Sequence, residues 1–251
     1  METQETAIFP FLPYILQDFW EIGTPPQMVI DLIQKHCKNI SNLHVLDLGS
    51  GKGAVSVKLA AALKCNCYGI DGIPEFVEAS KEKAREYGVD TLCRFEVGDI
   101  REKIKELEKF DVIILGATGP MFDDYCTALT TFSKHLAADG MIIINEGYIE
   151  DANTSYNPKN PAYSSILSRK KLLKQISQAG MELTDELIDK FSEHAVTKEI
   201  ENITKRCNEL KTKYPEKTSL FEKYIQEQVG SYDDLENELE SSLMVVKCVK
   251  T

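Results

Sequence analysis

The stretch that decides the fold is Val45-Leu46-Asp47-Leu48-Gly49-Ser50-Gly51-Lys52-Gly53, a short apolar run followed by three glycines. The apolar run predicts a buried strand, and the helical pattern of residues 54–64 predicts a helix directly after the glycines. Glycines at such a turn let a ligand approach the backbone closely. The free N–H groups at the start of the helix then favour an anion, which is a phosphate or a carboxylate.

Similar apolar runs follow along the chain, and segments with helical periodicity separate them. The predicted strands are residues 43–48, 66–70, 92–97, 110–115, 141–145, 181–188 and 243–249. The predicted helices are residues 24–38, 54–64, 74–87, 122–136 and 168–179. Nearly continuous apolar strands that alternate with helices are typical of a parallel sheet covered on both faces. The sequence therefore predicts an α/β fold with a doubly wound sheet.

Local signals predict where two of the helices begin. Thr24 is expected to cap the first helix, with Pro25 at the first helical position and Gln27 closing a capping box. The pair Asp123-Asp124 is expected to cap the helix after the fourth strand.

The character of the chain changes after residue 190. Residues 191–240 are charged and helical in pattern, and Pro215 divides them into two pieces. A connection of this length is usually functional, so we predict a lid, although a dimer contact stays open as an alternative. The predicted division is an N-terminal helical extension (1–40), an α/β core (41–190), the helical insertion (191–240) and a final core strand (241–251).

Composition excludes several classes of partner and site. The net charge of −11 argues against a partner held through phosphate neutralisation, so no nucleic acid is expected. The seven cysteines form no CxxC pair, which argues against zinc and, with their apolar surroundings, indicates reduced core cysteines in the cytoplasm. No signal peptide and no apolar run of about 18 residues is present, so no membrane association is expected. A homodimer stays open.

The glycines alone leave the ligand class undecided. The GxxxxGK[ST] pattern of a Walker loop is absent. Gly49, Gly51 and Ala54 do satisfy the GxGxxA pattern of a dinucleotide site, and Asp71 stands about 20 residues on, where that site needs a ribose-binding acid. A structural turn without a ligand is the third alternative.

The complete set of segments resembles one family. The run VLDLGSGKG resembles motif I, hhDhGxGxG, of the class I S-adenosylmethionine-dependent methyltransferases; Asp47 belongs to that pattern and not to the dinucleotide pattern. The resemblance continues through residues 68–71 (YGID), 97–100 (VGDI), 110–116 (FDVIILG) and 136–143 (LAADGMII) in the order and spacing of the family. The chain is similar to the small-molecule branch that includes the ubiquinone-biosynthesis type. This resemblance implies a Rossmann-like, seven-stranded, mostly parallel sheet with an antiparallel last strand.

The resemblance also implies S-adenosyl-L-methionine as the cofactor and assigns residues to it. Asp47 would order the loop and reach the methionine amino group, Asp71 would accept both ribose hydroxyls, and Asp99 would accept from the adenine amino group. The other implied contacts are Gly49, Ser50, Gly51 and Gly53 along the methionyl part, Gly72, Ile73 and Ile100 around the adenine, and Leu115, Gly116 and Ala117 beneath the sulfonium. Purely structural roles stay open as alternatives: Asp71 in a turn, Asp99 in a capping box and Asp47 at a strand end.

The acceptor is predicted to be a small molecule. Residues 116–119 (GATG) lack the Asn/Asp-Pro-Pro-Tyr/Phe signature of enzymes that methylate base or glutamine amino groups. A protein or RNA methyltransferase of the same fold and an NAD-dependent oxidoreductase are the alternatives.

The catalytic residue is not fixed by the sequence, and its candidates are Glu146, Tyr148 and His194. Tyr14 and Trp20 are considered as a flap over the cofactor, and no metal is expected.

Overall fold

The computed structural model describes residues 7–116, 118–119, 121–151, 156–159, 163, 165–189 and 193–249, without the side chains of 193–195. Its strands form one seven-stranded sheet in the order β3-β2-β1-β4-β5-β7-β6. They are β1 (His44–Leu48), β2 (Asn66–Asp71), β3 (Cys93–Val97), β4 (Phe110–Gly116), β5 (Leu136–Tyr148), β6 (Met181–Ile188) and β7 (Glu240–Cys248).

The pairing of the strands creates a crevice next to β1. This strand is parallel to both β2 and β4, while β6 and β7 pair antiparallel. The predicted sheet, seven-stranded and mostly parallel with an antiparallel last strand, is therefore confirmed. Because the chain leaves β1 toward β2 and later returns to β4, the direction of strand addition reverses between β1 and β4. Ligands bind at the carboxyl ends of the strands at such a reversal.

Burial explains why the strands are nearly continuous apolar runs. Val45, Leu46 and Leu48 of β1 are all fully buried, although neighbouring side chains of a strand face opposite sides of the sheet. Both faces of β1 are therefore covered.

The structure also describes α-helices before and between these strands along the chain. They are α1 (Leu12–Ile15), α2 (Pro26–His36), α3 (Ala54–Leu63), α4 (Pro74–Glu86), α5 (Ile100–Lys103), α6 (Tyr125–Ser133), α7 (Arg169–Gln178), α8 (Glu193–Lys213) and α9 (Thr218–Asn237). The capping role predicted for the Asp123-Asp124 pair falls to Asp124, whose carboxylate accepts from the N–H of Thr127 at 2.7 Å. Pro215 opens a short 3-10 turn between α8 and α9, as the sequence predicts.

The capping box predicted at the start of α2 is wrong. The N-cap position is held by Pro25, and no side chain caps the helix. The hydroxyl of Thr24 instead accepts a hydrogen bond from Asn145 at 3.0 Å, and Gln27 donates to Asp31 on the surface. A tertiary contact has therefore replaced the local one.

The bounds of α6 and β5 also differ from prediction. The sequence predicts a helix that ends at residue 136 and a strand that begins at residue 141, but residues 136–140 belong to β5, where Leu136 pairs with Phe110. The register then shifts between Phe110 and Val112. This irregularity admits the left-handed Asp139 (φ 60°) within the strand.

The chain divides into two compact units by its contacts. The core unit comprises Trp20–Glu146, Lys170–Ile188 and Ser242–Thr251. The helical unit comprises Met1–Phe19, Gly147–Arg169 and Asp189–Ser241. The division at residues 40, 190 and 240 and the lid role of the insertion stay predictions.

The helical unit joins the N-terminal segment to α8 and α9. The ring of Phe11 packs edge-on against Phe221, with the ring centroids 5.0 Å apart. Arg206 pairs with Asp18 at 2.6 Å, and the hydroxyl of Tyr14 donates to Glu209 at 2.7 Å. None of the helices in the described ranges combines the length and apolar character needed to cross a bilayer.

Candidate functional site

The glycine loop between β1 and α3 is built on left-handed backbone. Gly49 and Gly53 have φ of +71° and +73°, which disfavours residues with a Cβ. A Cβ on Gly49 would also lie 2.5 Å from Cγ2 of Thr118, in the segment after β4. The N–H groups of Gly49 and Ser50 donate to the carbonyl of Ile70, which fixes the loop to the end of β2.

Asp71 at the end of β2 holds this loop through its carboxylate. Its two oxygens accept from the backbone N–H groups of Gly51 and Ile73, both at 2.8 Å. The side chain is nearly buried, and this burial raises its pKa, although the backbone donors oppose the shift. Each carboxylate oxygen keeps a second lone pair, so the ribose role stays open to Asp71 alongside its role in the turn.

Asp47 lies buried beneath the loop. Its carboxylate accepts from the hydroxyl of Ser56 at 2.7 Å. Burial raises the pKa of Asp47 to about 6; the Ser56 hydrogen bond lowers it, and the charge of Asp71 adds to the increase. The two acids are therefore close enough to influence each other, as one site that spans the ends of β1 and β2 requires.

Asp47→Asn is expected to stabilise the protein at neutral pH. The raised pKa means that the folded state binds the proton more tightly than the unfolded chain, so wild-type stability falls as the pH rises from about 4 to about 6. Asparagine avoids this ionisation and can still accept from Ser56. The increase in the free energy of unfolding relative to the wild type should be absent near pH 4 and reach at most about 3 kcal/mol above pH 6. Urea unfolding from pH 4 to 8 measures it, and parallel curves for the two proteins would contradict it.

The loop contains a polar atom whose bonding is incomplete. The hydroxyl of Ser50 is buried and has no hydrogen-bond partner among the residues that the structure describes. Buried hydroxyls are normally paired, so an unpaired one at a strand-to-helix turn fits a polar ligand. The nearby hydroxyl of Ser80 is already bonded to the carbonyls of Gly51 and Phe76.

The implied adenine contacts lie at the ends of β2 and β3. Asp99 caps α5 by accepting from the N–H of Arg101 at 2.9 Å, and the Arg101 guanidinium also binds this carboxylate and lowers its pKa. The structural alternative for Asp99 is therefore present, and its adenine role stays a prediction. Gly72 faces open space, Ile73 precedes α4 and Ile100 begins α5.

A buried polar pair that the sequence did not indicate, Thr24 and Asn145, lies beside the last residue of β4. Gly116 is the register partner of Asn145, and the hydroxyl of Thr24 lies 2.6 Å from the position of a Cβ on Gly116. Thr24 and Asn145 are only 4% and 7% exposed. The available signal was a polar residue at the end of an otherwise apolar strand, directly across from a glycine.

The three catalytic candidates have different surroundings. Glu146 accepts a hydrogen bond from the hydroxyl of Tyr125, which is buried and which the sequence did not indicate. Burial and the charge of Glu146 raise the pKa of Tyr125 well above its usual range. Tyr148, in the helical unit, is buried with the guanidinium of Arg169 5.7 Å from its ring. The side chain of His194, like Ala117, lies outside the described residues.

Trp20 packs inside the core unit, against the glycine loop and two lysine side chains. Its ring nitrogen donates to the carbonyl of Lys52 in the glycine loop at 3.0 Å, and the ammonium groups of Lys58 and Lys83 each lie 5.3 Å from its ring. Trp20 therefore supports the loop from the side, whereas Tyr14 contacts α8 in the helical unit. The pairing of these residues as one flap stays a prediction.

A cavity of about 350 Å³ lies at the other end of the sheet. It is bordered by the first residues of β1, β2 and β3, among them His44, Asn66 and Cys93. All seven cysteines are free thiols, and within the described ranges no group of His, Cys, Asp or Glu is arranged to hold a metal ion. This cavity is separate from the glycine loop, which lies at the carboxyl ends of the strands.

The sequence of this chain is similar to those of known methyltransferases. Residues 39–194, more than half of the chain, match a protein family described as "Methyltransferase domain". The ubiquinone biosynthesis O-methyltransferase of Rickettsia canadensis (strain McKiel) is 24% identical over 174 residues, which cover 63% of this chain and 71% of that protein. The release factor glutamine methyltransferase of Bacillus anthracis is 34% identical over 88 residues, which cover 34% of this chain and 30% of that protein.

Solved structures share the fold over almost the whole chain. A SAM-dependent methyltransferase from Geobacter sulfurreducens, crystallised in complex with S-adenosyl-L-homocysteine, superposes with a TM-score of 0.77 at 16% sequence identity. The superposition covers 96% of this chain and 98% of that chain. The shared fold therefore includes the regions before and after the matched family segment.

Proposed function

Because this chain belongs to the methyltransferase family that its residues 39–194 match, we propose that it transfers the methyl group of S-adenosyl-L-methionine to a small molecule. The family match confirms the methyltransferase predicted from the sequence. The cofactor supplies an electrophilic methyl group on a sulfonium. The protein has to bind this cofactor, align the acceptor with it and keep water away.

The main support for this proposal is the set of polar groups around the glycine loop. Asp47, the unpaired hydroxyl of Ser50 and Asp71 lie together at the carboxyl ends of β1 and β2. The amino acid part of the cofactor carries an amine and a carboxylate, and its ribose carries a vicinal diol. Asp47 suits the amine, the N–H groups and hydroxyl of the loop suit the carboxylate, and Asp71 suits the diol. The dinucleotide alternative gives no role to Asp47.

The small-molecule acceptor rests on three supports. The net charge of −11 opposes binding of RNA. Residues 116–119 lack the signature of amino-group methylation in bases and glutamine. The O-methyltransferase relative aligns over 63% of this chain, whereas the glutamine methyltransferase aligns over 34%.

Glu146 is the proposed general base for an acceptor that must lose a proton. The hydroxyl of Tyr125 donates to its carboxylate and thereby fixes the orientation of the side chain. Tyr125 is a positioning residue in this scheme, since its raised pKa keeps it neutral. Tyr148 and His194 stay alternatives, and the helical insertion keeps its proposed role as a lid. A cytoplasmic location also stays a prediction, as does the choice between monomer and homodimer.

Transfer of a radiolabelled methyl group tests the proposal. The protein is incubated with methyl-labelled S-adenosyl-L-methionine and, separately, with pooled small metabolites, proteins and RNA. We expect label in the small-molecule pool, suppressed by excess S-adenosyl-L-homocysteine. Label in protein or RNA alone would refute the proposed acceptor class, while failure to bind the cofactor would refute the proposed function as a whole.

A further inference from the structure

We propose that Thr24 and Asn145 line the position of the transferred methyl group and bind its polarised hydrogens through their side-chain oxygens. This inference rests on the proposed function, since it requires the cofactor to lie at the carboxyl ends of β1 and β4. It assigns a task to two residues outside the sequence segments that carry the family resemblance.

The register of three neighbouring strands places Asn145 at the level of the site. Leu48 of β1, directly before Gly49, pairs with Leu115 of β4. Gly116, which follows Leu115 in β4, pairs with Asn145 of β5. Paired strands lie about 4.8 Å apart, so Asn145 is one strand away from Gly116. Because Gly116 is the residue expected beneath the sulfonium, Asn145 lies within a side chain's length of that position.

Thr24 reaches the same place from the segment before α2. Its hydroxyl lies 2.6 Å from where a Cβ of Gly116 would be, so it fills the space that the glycine leaves. It also accepts from the amide nitrogen of Asn145 at 3.0 Å. The two side chains thus form one unit beside Gly116.

The pair has unused bonding capacity although it is nearly buried. In the part of the chain that the structure describes, the Asn145 amide oxygen accepts no hydrogen bond, and the Thr24 hydroxyl oxygen accepts only the one from Asn145, which leaves it a second lone pair. The two side chains are only 7% and 4% exposed, and the Asn145 oxygen is not among the enclosed atoms that lack a partner, so it borders open space that a ligand can enter. Unused polar atoms at the edge of a ligand site indicate that the ligand completes them.

The chemistry of the methyl group matches these oxygens. A methyl group on a positively charged sulfur has polarised C–H bonds, and carbonyl and hydroxyl oxygens attract such hydrogens weakly. The contact exists with the sulfonium and is lost with the thioether product, which has no methyl group. The pair should therefore favour the substrate form of the cofactor over its product.

Calorimetry with three probes tests the proposal without an acceptor. The probes are S-adenosyl-L-methionine, S-adenosyl-L-homocysteine and sinefungin, which carries an amine where the methyl group would be. Wild type should bind the methionine form and sinefungin about tenfold more tightly than the homocysteine form. In Asn145→Leu, which keeps the size but removes the oxygen, this preference should fall about fivefold, while the Kd for the homocysteine form should change less than twofold.

Two further variants complete the experiment: one should change the preference in the opposite direction, and the other is a control that should not change it. Asn145→Asp adds a negative charge beside the sulfonium, so the preference should rise several-fold. Asn66→Leu makes the same replacement as the test variant at the amino end of β2, and all three Kd values should stay at wild-type levels.

The outcomes separate this inference from the proposed function. A preference that stays at the wild-type ratio in both Asn145 variants overturns the inference. Loss of all binding in the wild type overturns the proposed function instead. If Asn145→Leu does not fold, as judged by its thermal unfolding, Thr24→Val supplies the same test: the preference should fall, and a wild-type ratio overturns the inference.

Discussion

Replacement of Asp71 by alanine is expected to weaken the binding of S-adenosyl-L-methionine by more than about 100-fold. The carboxylate accepts from the N–H groups of Gly51 and Ile73, so its removal frees the glycine loop as well as the proposed ribose contact. Hydrogen bonds to a charged group contribute about 1.5–3 kcal/mol each, so the loss of the two proposed bonds to the ribose hydroxyls already corresponds to the expected factor. Calorimetric titration measures the effect.

Two controls accompany the Asp71 variant. Asp71→Asn keeps one acceptor oxygen for the backbone and should lose less affinity than alanine. Asp90→Ala removes an exposed carboxylate at the opposite end of the sheet and should bind as the wild type does. If Asp71→Ala folds, as seen by circular dichroism, and binds the cofactor with unchanged affinity, the ribose assignment is wrong.

Replacement of Gly53 by alanine is expected to lower the free energy of unfolding by roughly 2–4 kcal/mol, through left-handed strain and overpacking together. The residue has φ of +73°, and an added Cβ would lie 2.7 Å from Cβ of Ser80 and 3.0 Å from the ring of Phe95. Ser80 cannot move away easily, because it is fully buried and its hydroxyl is bonded to the carbonyls of Gly51 and Phe76. Urea unfolding measures the loss.

Gly51→Ala is the matched control for the Gly53 variant. Gly51 also has a positive φ, of +53°, but a Cβ there would meet no atom within 4 Å. Only the left-handed conformation is then penalised, at a cost of about 1–2 kcal/mol. Equal destabilisation by the two substitutions would contradict the close approach between the loop and α4.

Where burial decides the structure, the sequence was sufficient to predict it. The strand of Val45, Leu46 and Leu48 is covered on both faces, so its residues are apolar without alternation and it is recognised directly. The glycines after it are fixed by backbone conformation, which is also a local property. The central strands and the loop could therefore be predicted closely.

Contacts between distant residues were not predictable in the same way. Thr24 has the local features of a helix cap, yet its partner Asn145 lies 121 positions further along the chain. The pairing of Tyr125 with Glu146 depends on how α6 packs against β5, and no local pattern reports it. The extra length of β5 arises from a register shift against β4, which apolar periodicity does not reveal.

A crystal structure with S-adenosyl-L-homocysteine bound would show directly whether the cofactor lies at the glycine loop. We expect the ligand across the carboxyl ends of β1 and β2, with its ribose hydroxyls on Asp71 and its amino acid part along residues 49–53. A ligand in the cavity at the amino ends of β1–β3, or a glycine loop that stays empty at saturating ligand, would contradict it.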